Sequence, residues 1–161
     1  MGNLLDYLAW RGDLSLDRVP FGPVDGLVLS VLSYVHFDGP AQGEEPVPLG
    51  ETAEEYLALP PARRGRCRCE ADLSLLRALA ASPRFARLEL CARADRFVPR
   101  EETQFAALTA LLEDGSAYLA FRGTDGTLVG WKEDFNLSFL DVVPAQLEAA
   151  EYIQAVSRAF P

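Results

Sequence analysis

The sequence predicts a mixed α/β domain of residues 1–161: helices over about 1–82, then a three-stranded antiparallel meander and two helices over about 83–161. Three observations predict it. In the first half, apolar residues recur at helical spacing in stretches closed by Gly or Pro. From residue 86 the texture turns to period two, with Leu88, Leu90 and Ala92 alternating with Glu89, Cys91 and Arg93. Between two later apolar runs stands Glu113-Asp114-Gly115-Ser116, which reads as a hairpin turn.

Asn3 caps a short helix from Leu4 to Trp10 that ends near Gly12. Phe21-Gly22-Pro23 is a turn. Val24 to Phe37 reads as a helix whose broad apolar face (Leu27, Val28, Val31, Leu32, Val35) calls for burial. The stretch from Asp38 to Gly50, rich in Gly, Pro and Glu, reads as a loop. Thr52, with Glu55 at the capping-box position, opens a helix through Leu59 that Pro60-Pro61 stops. Asp72 to Ala81 is another short helix, closed by Ser82-Pro83. The meander uses the strand around Leu88–Ala92, a second at Gln104–Leu112 and a third, nearly all apolar, at Ala117–Phe121. A short helix or lid is expected over about Leu128 to Phe139, and Pro144 opens the last helix.

Composition narrows the function classes. Of 161 residues 49% are hydrophobic and 24% charged, ordinary globular usage with enough apolar mass for a core. The net charge of -9 repels phosphate backbones and anionic membranes, so no nucleic-acid partner is expected. The most apolar stretch, Leu27 to Phe37, falls short of the ~20 residues a bilayer span needs, so no stable membrane insertion is expected. Cys67, Cys69 and Cys91 make an odd count, and the N-terminus has no secretory pattern; both point to a reducing, cytoplasmic setting. With His36 the only histidine, the residues for a structural zinc site are lacking, and no metal or cofactor is expected.

The segment richest in chemical meaning is Ala120-Phe121-Arg122-Gly123-Thr124-Asp125-Gly126, which closes an apolar run and opens a turn. Gly130-Trp131-Lys132-Glu133-Asp134-Phe135 follows it. Earlier stand Asn3-Leu4-Leu5-Asp6-Tyr7, Phe21-Gly22-Pro23-Val24-Asp25-Gly26-Leu27-Val28-Leu29-Ser30 and Leu32-Ser33-Tyr34; Thr103-Gln104-Phe105-Ala106-Ala107 and Pro144-Ala145-Gln146 complete the set. In this order they resemble the lipase-like α/β-hydrolases, and within them a bacterial family of unknown function related to the class 3 triacylglycerol lipases. The resemblance runs over nearly the whole chain. It implies an incomplete α/β-hydrolase-like fold: the N-terminal half of a serine carboxylic-ester hydrolase acting on a small-molecule ester or lipid. In that family the next element is a strand entering Gly-His-Ser-x-Gly-Gly, the nucleophile elbow. No Gly-x-Ser-x-Gly occurs in these residues, so the chain by itself is expected to be inactive. The alternative is a short, non-enzymatic binding or vestigial module on the same scaffold.

The resemblance also assigns roles. Ester hydrolysis builds negative charge on the carbonyl oxygen, and a fixed backbone N–H stabilises it. Thr124 would be that donor, with Gly123 permitting the turn. The plainer reading is a strand-end turn with a capping Thr. Leu128, Trp131 and Phe135 would cover an acyl pocket as a lid, or else form the core of a short amphipathic helix. Arg122 would brace the turn by pairing with Asp125 or Asp134. His36 reads as a core or boundary histidine rather than a general base. Without the neighbouring strand of the full fold, Ala117–Phe121 would expose an apolar edge that invites self-association.

Overall fold

The computed structural model describes residues 2–37, 45–64, 69–98, 100, 103–123, 131–132, 135–136 and 138–160. Within them lie five α-helices and one four-stranded antiparallel sheet. Helices α1 (Leu4–Arg11), α2 (Pro23–Leu32), α3 (Leu49–Ala58) and α4 (Glu70–Ala80) precede the main strands. The strands are β1 (Val47–Pro48), β2 (Glu89–Val98), β3 (Thr103–Leu111) and β4 (Ala117–Phe121), and α5 (Pro144–Ala159) follows them. They pair in the order β1-β2-β3-β4, so β4 is an edge.

The sheet is covered on both faces. On one, Leu90, Leu108, Ala110 and Tyr118 join the main core with Val28, Leu29 and Leu32 of α2, Ala53 and Tyr56 of α3 and Leu76 and Leu79 of α4. On the other, Phe105 and Ala107 of β3 pack against Tyr152 and Val156 of α5. Fully burying one such side chain contributes about 1.5–3 kcal/mol, so the larger helical core carries most of the apolar stabilisation.

Local chemistry accounts for the helix boundaries. The Asn3 side chain accepts from the backbone N–H of Leu5 and Asp6, and Asp6 accepts from the Asn3 N–H, a reciprocal cap. Asp25 and Asp72 likewise accept from the N–H groups of Gly22 and Cys69, which open α2 and α4. The β3–β4 hairpin turns at Gly115, whose φ of 84° suits glycine, while Asp114 Oδ1 accepts from the Ser116 N–H and hydroxyl.

Three expectations need correction. The sheet has four strands, not three; β1 is two residues long, too short for any periodicity to reveal. Helix α2 ends at Leu32 rather than Phe37. Ser33 closes it by donating its hydroxyl to the Ser30 carbonyl, and Val35 and Phe37 are buried from a non-helical tail, so apolar character outlasts the helix. Helix α3 begins at Leu49, with the Leu49 and Gly50 N–H groups bonded to the Leu88 and Ala86 carbonyls, so Thr52 is interior and not a cap. Of the two expected C-terminal helices, α5 is complete; in the first, residues 131–132 and 135–136 are helical, with the rest of 124–137 outside the described residues.

Candidate functional site

The end of β4 is held from below. Arg122, the residue after the strand, extends the hairpin ladder through its N–H to the Ala106 carbonyl at 2.9 Å. Phe121 faces α5, packing 5.8 Å from the Tyr152 ring, so strand alternation sends the Arg122 side chain to the opposite face. There it is 3% exposed. One guanidinium nitrogen lies 3.1 Å from His36 Nε2 and the other 3.4 Å from Asp95 Oδ1. Asp95 Oδ2 lies 2.5 Å from His36 Nδ1 and accepts from Arg93 at 2.9 Å, while Arg93 also donates to the Phe37 carbonyl.

This geometry fixes the histidine. Arginine has donors and no acceptor, so His36 Nε2 must accept from Arg122. The imidazole proton then sits on Nδ1 and is donated to Asp95, and His36 in this arrangement is neutral. Burial alone would push the Asp95 carboxyl up, but the bond from His36 and the charges of Arg122 and Arg93 outweigh it and hold the group below the usual carboxylate range. Among the described residues, Arg93 and Arg122 thus both face the Asp95 carboxylate.

Asp95 reaches the cluster because β2 is irregular. Cys91 pairs with Thr109 and Ala94 with Ala107, so Ala92 and Arg93 together stand opposite Leu108. Ala92 adopts a φ of 51°, the left-handed region that favours glycine. The extra residue flips the alternation. Leu90 lies on the helical face, and after the bulge it is Arg93 and Asp95 that lie there, while Ala94 and Arg96 turn to α5, where Arg96 pairs with Glu148. Sequence reasoning missed Asp95 and Arg93, since an uninterrupted period-two strand puts them on the other face; the ladder before the bulge carries no sign of it.

Gly123 lies close to Tyr34: a Cβ there would stand 3.0 Å from the Tyr34 hydroxyl, the far end of that side chain. Its φ is not in the left-handed region, so the conformational freedom expected of this glycine is not used. Arg122 has His36 and Asp95 as described partners; Asp125 and Asp134, the partners expected, lie outside the described residues, as do Thr124 and Leu128. Trp131 and Phe135 are 69% and 66% exposed, in neither a core nor a closed pocket among the described residues. Phe139 stacks 5.1 Å from Phe135 and is also exposed.

The remaining candidates separate. Cys69 is exposed where α4 begins and Cys67 lies outside the described residues. Cys91 is buried in β2, its thiol pushed up to about 11 by burial and by Glu89, which makes it inert. Among the described residues no group of three or more His, Cys, Asp or Glu is placed to hold a metal ion, and no helix is long and apolar enough to cross a membrane.

Fold and site together define a mixed α/β protein with an antiparallel sheet between helical layers and a buried arginine clamp at the end of β4. The Mbeg1-like family matches residues 79–161, just over half of the chain and the part containing β2, β3, β4 and α5, and the chain belongs to that family. No curated protein and no solved structure matches it.

Proposed function

We propose that the turn after β4 is the oxyanion element of a serine carboxylic-ester hydrolase scaffold, with the Thr124 N–H as donor and a small-molecule ester or lipid as substrate. The observation that carries this reading is the clamp on Arg122. An oxyanion donor works by being fixed before charge develops, and losing one donor typically costs about 2.7–4 kcal/mol of barrier. Arg122, adjacent to Gly123 and Thr124, is ordered by its backbone bond to Ala106 and by His36 and Asp95 on its side chain. Leu128, Trp131 and Phe135 are the segment assigned to the acyl chain. These residues contain no Gly-x-Ser-x-Gly, so the nucleophile of such an enzyme lies outside them.

The test is serine-directed labelling of the natural gene product with a fluorophosphonate probe, read together with its intact mass. The expected result is a labelled protein heavier than 17.7 kDa whose labelling drops when Gly123 is replaced by Val. An unlabelled product of 17.7 kDa would overturn the catalytic reading in favour of a binding module.

A further inference from the structure

The clamp contains the chain's single histidine, in a bond that only one protonation state can make. We propose that His36 is a proton-dependent latch on Arg122 at the end of β4: neutral, its Nε2 accepts from Arg122 and holds it; protonated, it lets Arg122 go. That the residues after β4 serve catalysis rests on the reading above; the latch does not.

The charged groups around the ring decide the direction. On Nδ1, from β2, stands Asp95, itself held by Arg93. On Nε2, from the end of β4, stands Arg122. Tyr34, two residues before His36, lies against Gly123. A second proton leaves the Nδ1 bond to Asp95 in place and adds charge attraction to it. On the other side it points an N–H at a guanidinium 3.1 Å away, where there is no acceptor. Among the described residues, His36 then becomes a third cation beside Asp95, with Arg93 and Arg122. Arg122 loses one of its two described side-chain partners and keeps the weaker contact, at 3.4 Å, to Asp95. The His36 side chain is 27% exposed, so protons reach the ring without unfolding. Acidification therefore frees Arg122 from His36 and leaves the Asp95–His36 contact intact.

With one histidine, nitrogen NMR of the whole chain reports the ring without ambiguity. At about pH 8 the expected spectrum shows the proton on Nδ1 and a bare Nε2. As the pH is lowered to about 5, the range over which histidines change charge, the Arg122 side-chain and Gly123 amide signals should move with the His36 midpoint. His36→Gln can donate to Asp95 and accept from Arg122 at once, so in this variant those signals should stay at their neutral positions throughout. A proton on Nε2 at about pH 8, or Arg122 and Gly123 signals indifferent to the His36 titration, would overturn the latch. Neither result depends on ester chemistry, so a chain that titrates as described but belongs to an unlabelled product refutes the hydrolase reading alone.

Discussion

Asp25 and Arg84, 59 positions apart, form the most constrained pair in the described molecule. Two guanidinium nitrogens meet the two carboxylate oxygens at 2.7 and 2.5 Å, with both side chains 1% exposed. The remaining Arg84 hydrogens go to the carbonyls of Leu14, Val19 and Pro20, and Asp25 also accepts from Tyr7 and the Gly22 N–H. A buried pair is tolerable when every lone pair and proton is used, as here; removing one partner strands the other. Asp25→Ala should destabilise the fold by about 3–5 kcal/mol, read from urea denaturation. Burial pushes the Asp25 carboxyl up, but Arg84, the Gly22 N–H and the Tyr7 hydroxyl more than offset it, so its pKa is lower folded than unfolded. The stabilisation is therefore complete above the unfolded value of ~3.9 and is lost as pH falls through the folded one. Asp25→Ala should flatten the acid limb of the stability–pH profile; an unchanged limb would show that other carboxylates control acid unfolding.

At the scale of elements, the bulge in β2 and the edge of β4 carry the predictions. Ala92 bears the cost of a left-handed backbone, about 1–2 kcal/mol for a residue with a Cβ. Ala92→Gly should leave stability unchanged or raise it by up to about 1 kcal/mol, because glycine's greater unfolded freedom offsets part of the relief. Ala92→Val, β-branched, should lower it by about 1–3 kcal/mol. The order Gly, Ala, Val in denaturation midpoints is the check, and a reversed order would remove the bulge from the explanation of the site. Helix α2 depends on another close approach: a Cβ on Gly26 would stand 3.0 Å from the Tyr118 hydroxyl, so Gly26→Val should force α2 off β4 at about 1–3 kcal/mol.

The edge of β4 has a different weakness. The Arg122 N–H bonds to Ala106 and the Leu112 N–H to the Ser116 carbonyl, so even-numbered residues face β3 and Ala117, Leu119 and Phe121 turn their backbone groups outward. No described residue pairs with that side, and the strand holds no charge and no proline to discourage another chain. Light scattering of the 161-residue chain should give a mass above 17.7 kDa that falls toward the monomer value in Ala117→Lys. A monodisperse monomer at all concentrations would show that the edge is protected.

For the molecule as a whole, the charge of -9 opposes association, so added salt should promote the β4 contact rather than weaken it. The chain alone should not turn over nitrophenyl esters, since its sequence contains no Gly-x-Ser-x-Gly elbow. Saturable turnover that survives replacement of Arg122, Gly123 and Thr124 would refute the site assignment.

How much was legible in the sequence follows the range of the interactions. The Asn3 cap, the Gly115 hairpin, β4 and the proline-led α5 were readable because each is fixed by residues within four positions of one another. The extra strand β1 was not, because Val47 and Pro48 form a strand only where Leu90 and Glu89 lie beside them. Of the candidate site, the motif around Arg122 and the need for a brace were visible, but the brace's partners were not. His36 stands 86 positions from Arg122, and Asp95 faces it only through a one-residue bulge.

By itself the sequence determined the main helices and strands and their order, since helical period, strand period, caps and turns are written in neighbouring residues. Only the tertiary structure decided which face of β2 carries Asp95, which nitrogen of His36 holds the proton and which side chain lies against Gly123. Those depend on a register shift at Ala92 and on contacts between distant segments, which no local pattern encodes.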